Sequence, residues 1–330
     1  MTDSTAISVN TARMPWLPVA LFGSVMGLAG LGLAWRLAYV HWGTPVWIAQ
    51  AIGYVAVAVF VLLVVAYAIK AATGFEHVKA EFAHPIAGAL FGTPLISALL
   101  LPGALADVST ALAHGLWIFG AIGMAVLAWL MAGRWLGTRQ QRIHAAPAWI
   151  VPLVGMLDIP MVVPALNFTE PPHALMMLGL SVGLFFAIPL FTIIFARLMF
   201  EEPLPSSMSP SLLILLAPFA VGFSAYVITV GQVDLFAEGL FALTLFILAV
   251  LLAHLRHLWH CCPFRVSWWA VSFPLAAAAG AGLRYAAFVQ ATWADVIAIA
   301  LLTLASTVIA ALLVRTIVGI ARGDLQKLSG

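Results

Sequence analysis

One recurrence constrains this chain more than anything else in it. From Trp16 to the C-terminus, apolar runs long enough to cross a bilayer follow one another with only short polar breaks. A helix needs about 20 such residues to span the hydrocarbon. Inside lipid every backbone N–H and C=O must find its partner within the protein, which leaves helices and closed barrels as the two spanning structures. Barrel strands are roughly 10 residues of alternating polarity, and these runs are longer and continuously apolar. The expectation is an all-α integral membrane protein with a single transmembrane domain over residues 1–330. Composition agrees, with 64% hydrophobic and only 8% charged residues, against about 25% charged in soluble domains.

Ten spans can be drawn: Trp16 to Ala38, Pro45 to Ile69, Pro85 to Leu101, Ala104 to Ala132, Pro147 to Leu166, Ala174 to Phe200, Ser211 to Val230, Leu235 to Leu258, Phe264 to Val289 and Trp293 to Ile320. An even number puts both termini on one side. If that side is cytoplasmic, all 14 lysines and arginines except Arg36 and Arg284 fall inside, a strong positive-inside bias. Both termini are therefore expected in the cytoplasm. The first 15 residues are polar with a single basic residue, and the run that follows has no short apolar core ending in a small-residue cleavage site. A removable signal peptide is not expected. The two cysteines, Cys261 and Cys262, are adjacent, so no disulfide staples distant segments.

The odd-numbered spans share a feature that the even ones mostly lack. Each combines proline with glycine or other small residues: Pro18 with Gly23 and Gly27; Pro85, Gly88, Gly92 and Pro94; Pro152, Gly155 and Pro160; Pro218 with Gly222; Pro274 with Gly280. Pro189 is the interior case among the even spans. The pattern reads as five hairpins in a quasi-repeat of roughly sixty residues, each with one breakable and one plain helix. Broken membrane helices persist where protein or a water-filled cavity satisfies the freed backbone groups. The odd helices are thus expected as an inner ring around a path, with the even helices outside against lipid. In span nine, Phe273, Ala277, Gly280 and Arg284 share one helix face within roughly 40°. That face offers a bulky ring, then small residues, then a cation about 16 Å along the axis. Pro274 is expected to bend the helix beside the ring.

Asp158 is the one carboxylate well inside a span, where a charge costs about 2.5–3.5 kcal/mol on insertion scales. It can bind protons or govern selectivity, or it can cap the half-helix that follows Pro160; both readings stand at this point. His254, His257, His260, Cys261 and Cys262 are metal-capable side chains. They match no defined zinc spacing and read as interfacial anchors, so no metal is expected. Glu76, Lys79 and Glu81 read as the solvated face of a connector between spans two and three. No nucleophile elbow, phosphate-binding loop or catalytic dyad occurs, which argues against an enzyme and against ATP-driven pumping. No cofactor and no nucleic-acid partner are expected.

Phe22-Gly23 with Gly30-Leu31-Gly32-Leu33-Ala34-Trp35-Arg36, Ala80-Glu81 with His84-Pro85, Leu216-Ala217-Pro218 with Ser224-Ala225-Tyr226, and Trp269-Ala270-Val271-Ser272-Phe273 together resemble the tellurite-resistance/dicarboxylate transporter family. That family includes bacterial TehA and the plant slow-type anion channels, and the resemblance runs over essentially the whole chain. It implies a ten-helix protomer of five hairpins in quasi-five-fold arrangement, inner odd helices around a central anion path, and a homotrimer with one pore per protomer. It also implies an aromatic plug on helix nine, which the Trp-x-x-Ser-Phe match assigns to Phe273. The family pattern has glycine after this phenylalanine, where this chain has Pro274. Relatives often carry an Asn-Phe pair in span five, where this chain has Asp158. Phe22, Gly27, Gly92, Pro94, Pro152, Pro160, Pro218, Pro274, Ala277 and Gly280 are the expected kink and lining positions, and Arg36 and Arg284 the outer vestibule. The implied function is a passive channel for small anions in a bacterial inner membrane, its only other partners being lipid and its own copies. The alternative is a proton-linked carrier of C4-dicarboxylates or oxyanions such as tellurite or sulfite, with Asp158 as the proton-responsive group. A sensor or enzyme built on the His/Cys cluster is the third class.

Overall fold

A computed structural model of the chain describes residues 14–256 and 264–324. Ten helices in it are long and apolar enough to cross a membrane: Val19–Trp42, Val46–Thr73, Ala87–Leu105, Thr110–Gly137, Pro147–Ala165, His173–Phe200, Ser206–Val230, Leu235–Leu255, Val266–Val289 and Thr292–Ala321. They are spans 1 to 10 below. Span 4 begins later than the hydropathy suggests, because the Ser109 hydroxyl accepts a hydrogen bond from Leu112 N–H and caps the helix there. Ala104 belongs instead to the last turn of span 3. Span 1 runs four residues past the expected Ala38 and stops at Gly43, whose φ of 69° lies in the left-handed region. Glycine takes that conformation without a Cβ penalty, and its N–H closes the helix on Tyr39 O at 2.9 Å.

Odd and even spans differ in burial. The central windows of spans 1, 3, 5, 7 and 9 are 72%, 72%, 83%, 72% and 83% buried, and those of spans 2, 4, 6, 8 and 10 are 11%, 39%, 33%, 33% and 33% buried. Span 1 packs on spans 3 and 9, span 9 on span 7, span 7 on span 5, and span 5 on span 3. Each even span lies against the odd span that precedes it.

The odd spans also share a local construction. Each opens with 3₁₀ turns, at Val19–Phe22, Ala87–Phe91, Pro147–Ile150, Ser206–Leu216 and Val266–Val271, and hands over to α-helix at Gly23, Gly92, Val151, Ala217 and Ser272. Pro94, Pro152, Pro218 and Pro274 each fall at the second or third residue of the α segment. A proline lacks an N–H to donate, and the start of a helix is where that loss matters least. Beside Pro274, where a bend is expected, the helix type changes from 3₁₀ to α at Ser272.

The reading of Glu81 as a solvated residue is corrected. A short helix, Phe75–Ala83, connects spans 2 and 3. Glu76 and Lys79 do pair on its exposed side at 2.9 Å, but Glu81 turns inward. Its Oε1 accepts the N–H of Val19 at 2.7 Å, and its Oε2 accepts the Tyr67 hydroxyl at 2.9 Å and Lys70 Nζ at 2.7 Å. Lys70, 3% exposed, also donates to Leu17 O at 2.7 Å. A buried ion pair tolerates desolvation only when its remaining donors and acceptors are filled in this way.

Candidate functional site

The first halves of the five odd spans enclose a cavity of ≈190 Å³. Its wall repeats every three residues: Ala20, Gly23 and Met26 from span 1; Leu90, Thr93 and Ile96 from span 3; Ala148, Val151 and Val154 from span 5; Ser211, Ile214 and Ala217 from span 7; Ser267, Ala270 and Phe273 from span 9. A 3₁₀ helix has three residues per turn, so side chains at i and i+3 eclipse and one strip of residues keeps facing the same way. In all five spans the strip continues into the first turns of the α segment, at Gly23 and Met26, Thr93 and Ile96, Val151 and Val154, Ala217, and Phe273. Ala20, Ile86, Leu90, Ser211 and Ser267 are partly exposed, whereas Met26, Ile96, Asp158, Val221 and Phe273 are buried. The cavity thus runs from a mouth at the first turns of the odd spans to a floor near mid-span.

Helix type costs hydrogen bonds, and side chains from neighbouring spans replace them. Thr93 Oγ1 donates to Val19 O at 3.1 Å, Ser97 Oγ to Phe22 O at 3.2 Å, Ser272 Oγ to Gly23 O at 3.3 Å, Trp149 Nε1 to Pro85 O at 2.9 Å, and Ser267 Oγ to Ser207 O at 2.6 Å. These bonds tie span 3 and span 9 to span 1, span 5 to the start of span 3, and span 9 to span 7. Irregular backbone at membrane depth persists where protein groups supply such partners.

Phe273 lies at the floor, 7% exposed. Its ring rests on span 1: a β-carbon added at Gly30 would come within 3.2 Å of Phe273 Cδ2. The preceding residue is anchored twice, since Ser272 Oγ also donates to Trp269 O at 2.6 Å while Trp269 Nε1 donates to Thr316 Oγ1 of span 10 at 3.0 Å. Asp158, 1% exposed, faces the same floor from span 5, and its Oδ1 is buried with no hydrogen-bond partner. The carboxyl caps no half-helix; Met161 N–H bonds to the backbone carbonyl of Asp158, not to its side chain.

Of the other residues singled out from the sequence, Pro274 lines the cavity. Phe22, Gly27, Gly92, Pro94, Pro152, Pro160, Pro218, Ala277 and Gly280 stand outside its wall. Phe22 turns away from the cavity to meet Phe60 and Tyr67 edge-on at 5.9 and 6.3 Å. Gly27 and Gly92 are points of close span-to-span approach, to Ser272 and Val151. Arg36 gives both terminal nitrogens to Asp107, at 2.8 and 3.0 Å, and one of them also to Gly103 O. Arg284 Nε is buried without a partner. His257, His260, Cys261 and Cys262 lie outside the described residues; among the described residues no group of three or more His, Cys, Asp or Glu is placed to hold a metal ion. Sequence reading passed over the wall residues Met26, Thr93, Ser211, Val221 and Ser267 among others; of these only Thr93, Ser211 and Ser267 carry a usable signal, a hydroxyl in the first half of an otherwise apolar odd span.

Comparison with known proteins adds the relatives. The family model SLAC1, described as a voltage-dependent anion channel, matches residues 17–317. The chain is similar to the S-type anion channel SLAH3 of Arabidopsis thaliana, 28% identical over 325 residues, covering 94% of this chain and 50% of that one. It is 29% identical over 290 residues to the tellurite resistance protein TehA homolog of Haemophilus influenzae, covering 84% of each. An uncharacterized transporter of Methanocaldococcus jannaschii is 26% identical over 254 residues, covering 70% of this chain and 72% of its own. The chain spans 50% and 52% of the lengths of SLAH3 and SLAH2, the latter another S-type anion channel from Arabidopsis.

Proposed function

The chain belongs to the SLAC1 family of voltage-dependent anion channels, and from that premise we propose that it is a passive channel for small anions whose path is occluded by Phe273. It is a multi-pass membrane protein of an anion-transport family, and not an enzyme. The observation that carries the finer reading is that all five odd spans contribute to one cavity and that this cavity ends on Phe273. The span contacts, running 1 to 3 to 5 to 7 to 9 and back to 1, support five hairpins in quasi-five-fold arrangement with the odd helices innermost. An aromatic ring filling an apolar constriction excludes water, and an ion stripped of water pays heavily to pass.

The face at which the cavity opens carries most of the lysines and arginines, Arg142, Arg197 and Arg265 among them. That supports a cytoplasmic mouth and cytoplasmic termini, and positive potential there raises the local anion concentration. On the opposite face Arg36 is already engaged by Asp107, which leaves Arg284 as the better candidate for an outer vestibule. A homotrimer with one path per protomer, in a bacterial inner membrane, follows from the family resemblance. The remaining kink positions, Gly27, Gly92, Pro94, Pro152, Pro160 and Pro218, act in this reading by fixing how closely the odd spans pack and where their helix type changes.

One observation favours a second reading. Asp158, buried and unpartnered at the cavity floor, suits a proton-responsive group in a carrier of dicarboxylates or oxyanions. Purified protein in planar bilayers separates the two. The channel reading predicts macroscopic current whose reversal potential follows the anion gradient across chloride, nitrate and sulfate. Absence of current, together with proton-driven uptake in proteoliposomes that Asp158→Asn abolishes, would replace it with the carrier.

A further inference from the structure

The cavity wall is chemically unsuited to hold a bare inorganic anion. Its three hydroxyl side chains have already given their hydrogens to backbone carbonyls: Thr93 to Val19 O and Leu90 O, Ser211 to Met208 O, and Ser267 to Ser207 O. The rest of the wall is aliphatic or aromatic, save for Asp158. Apolar cavities of about 150 Å³ hold a benzene ring, and this one measures ≈190 Å³. At its floor sits one carboxyl with an unused, buried oxygen.

Among the described residues, no other titratable group faces that carboxyl from the elements packed against it. His114 on span 4 bonds to Leu166 O, Arg134 to the carbonyls of Phe82 and Ala83, and Tyr226 on span 7 to Asp234. On span 6, Gly179 and Gly183 are the residues against Met156–Ile159; His173 lies at one end of that helix and Arg197 near the other, about 21–27 Å along the axis from those two glycines. Span 3 brings no titratable residue.

We propose that this cavity binds a small monocarboxylic acid with an apolar body, the body against the aliphatic wall and the carboxylate sharing one proton with Asp158. A hydrogen bond between a carboxylic acid and a carboxylate is short and strong, and it needs only one proton between the two groups. The excess of lysine and arginine on the face where the cavity opens selects against an organic cation as the partner for Asp158. The inference rests on reading the cavity as the inner mouth of an anion path, but binding is measurable without current.

Radiolabelled benzoate serves as the probe, with equilibrium binding to the purified full-length protein in detergent. Saturable binding is expected, at least tenfold weaker for competing benzyl alcohol, which lacks the acid, and absent for benzylamine. Asp158→Asn keeps a hydrogen-bond donor and should bind within about threefold of the native protein, whereas Asp158→Leu should lose at least tenfold. Gly23→Leu provides a second test away from the carboxyl. A β-carbon there meets nothing nearer than Trp269 O at 4.0 Å, so the side chain has room to enter the cavity, and saturable binding should disappear. Competition by benzylamine rather than benzoate, undiminished binding in Asp158→Leu or Gly23→Leu, or no saturable binding at all overturns the proposal. Binding without anion current in any variant would sink the channel reading and leave this one; current without binding would do the reverse.

Discussion

The two halves of the inner spans solve the same packing problem in opposite ways. In their second halves spans 1 and 9 run as α-helices with backbones in near contact: a β-carbon at Gly30 would come within 3.1 Å of Ala276 Cβ, and span 10 presses on span 9 so closely that one at Gly282 would fall 2.8 Å from Leu301 Cδ1. Small residues permit that approach, and dispersion between the helices holds it. At their starts the same spans are 3₁₀ turns, Val19–Phe22 and Val266–Val271, set around open space and held by polar bonds, from Val19 N–H to Glu81 and from the hydroxyls of Thr93, Ser97 and Ser272 to carbonyls of span 1. The difference teaches that the cavity is a built feature, maintained by polar ties at the span starts, and not space left by imperfect packing.

Three substitutions sharpen that contrast, and unfolding of the detergent-solubilised protein reads each. Lys70→Met removes one member of a buried ion pair whose other member holds the start of span 1. It should destabilise by about 3–5 kcal/mol, and a loss under about 1 kcal/mol would mean that the tie is not what holds the open half. Gly27→Ala acts at the junction of the halves, where the added carbon would fall 2.1 Å from Ser272 Oγ; about 1–3 kcal/mol should be lost as Ser272 is displaced. Gly23→Ala, four residues earlier, points a methyl group at the cavity and should be neutral or stabilising by about 0.4–1 kcal/mol. Equal costs for the two glycines would erase the distinction drawn between the halves.

Much of this architecture was legible in the sequence because it depends on quantities that a sequence carries directly. Run length and hydropathy set the ten spans, and prolines with glycines marked the odd ones. What escaped depended on partners far away in the chain. Glu81 sits in a polar connector and pattern alone assigns it to solvent; its partner at Val19 is 62 positions away. Pro274 by itself predicts a bend, yet a proline at the third residue of an α segment accommodates a 3₁₀ entry, and the helix type before it is not a property of the proline. Asp158 could be seen to be costly but not whether a free amide would meet it, since that depends on which way the turn at Ile159 to Val162 faces. Phe22, carried in by family resemblance, packs outward on Phe60, while its neighbour Gly23 lines the cavity; one residue of register separates the two.

Phe273 is the ring on which the cavity ends. Chloride current through planar bilayers should rise at least about tenfold in Phe273→Ala, the gain expected when about 1.4 kcal/mol is taken off a barrier, with Phe273→Leu between it and the native protein. Conductance in Phe273→Ala equal to that of the native protein, at equal amounts of folded protein, would contradict the assignment of this ring as the occluding element.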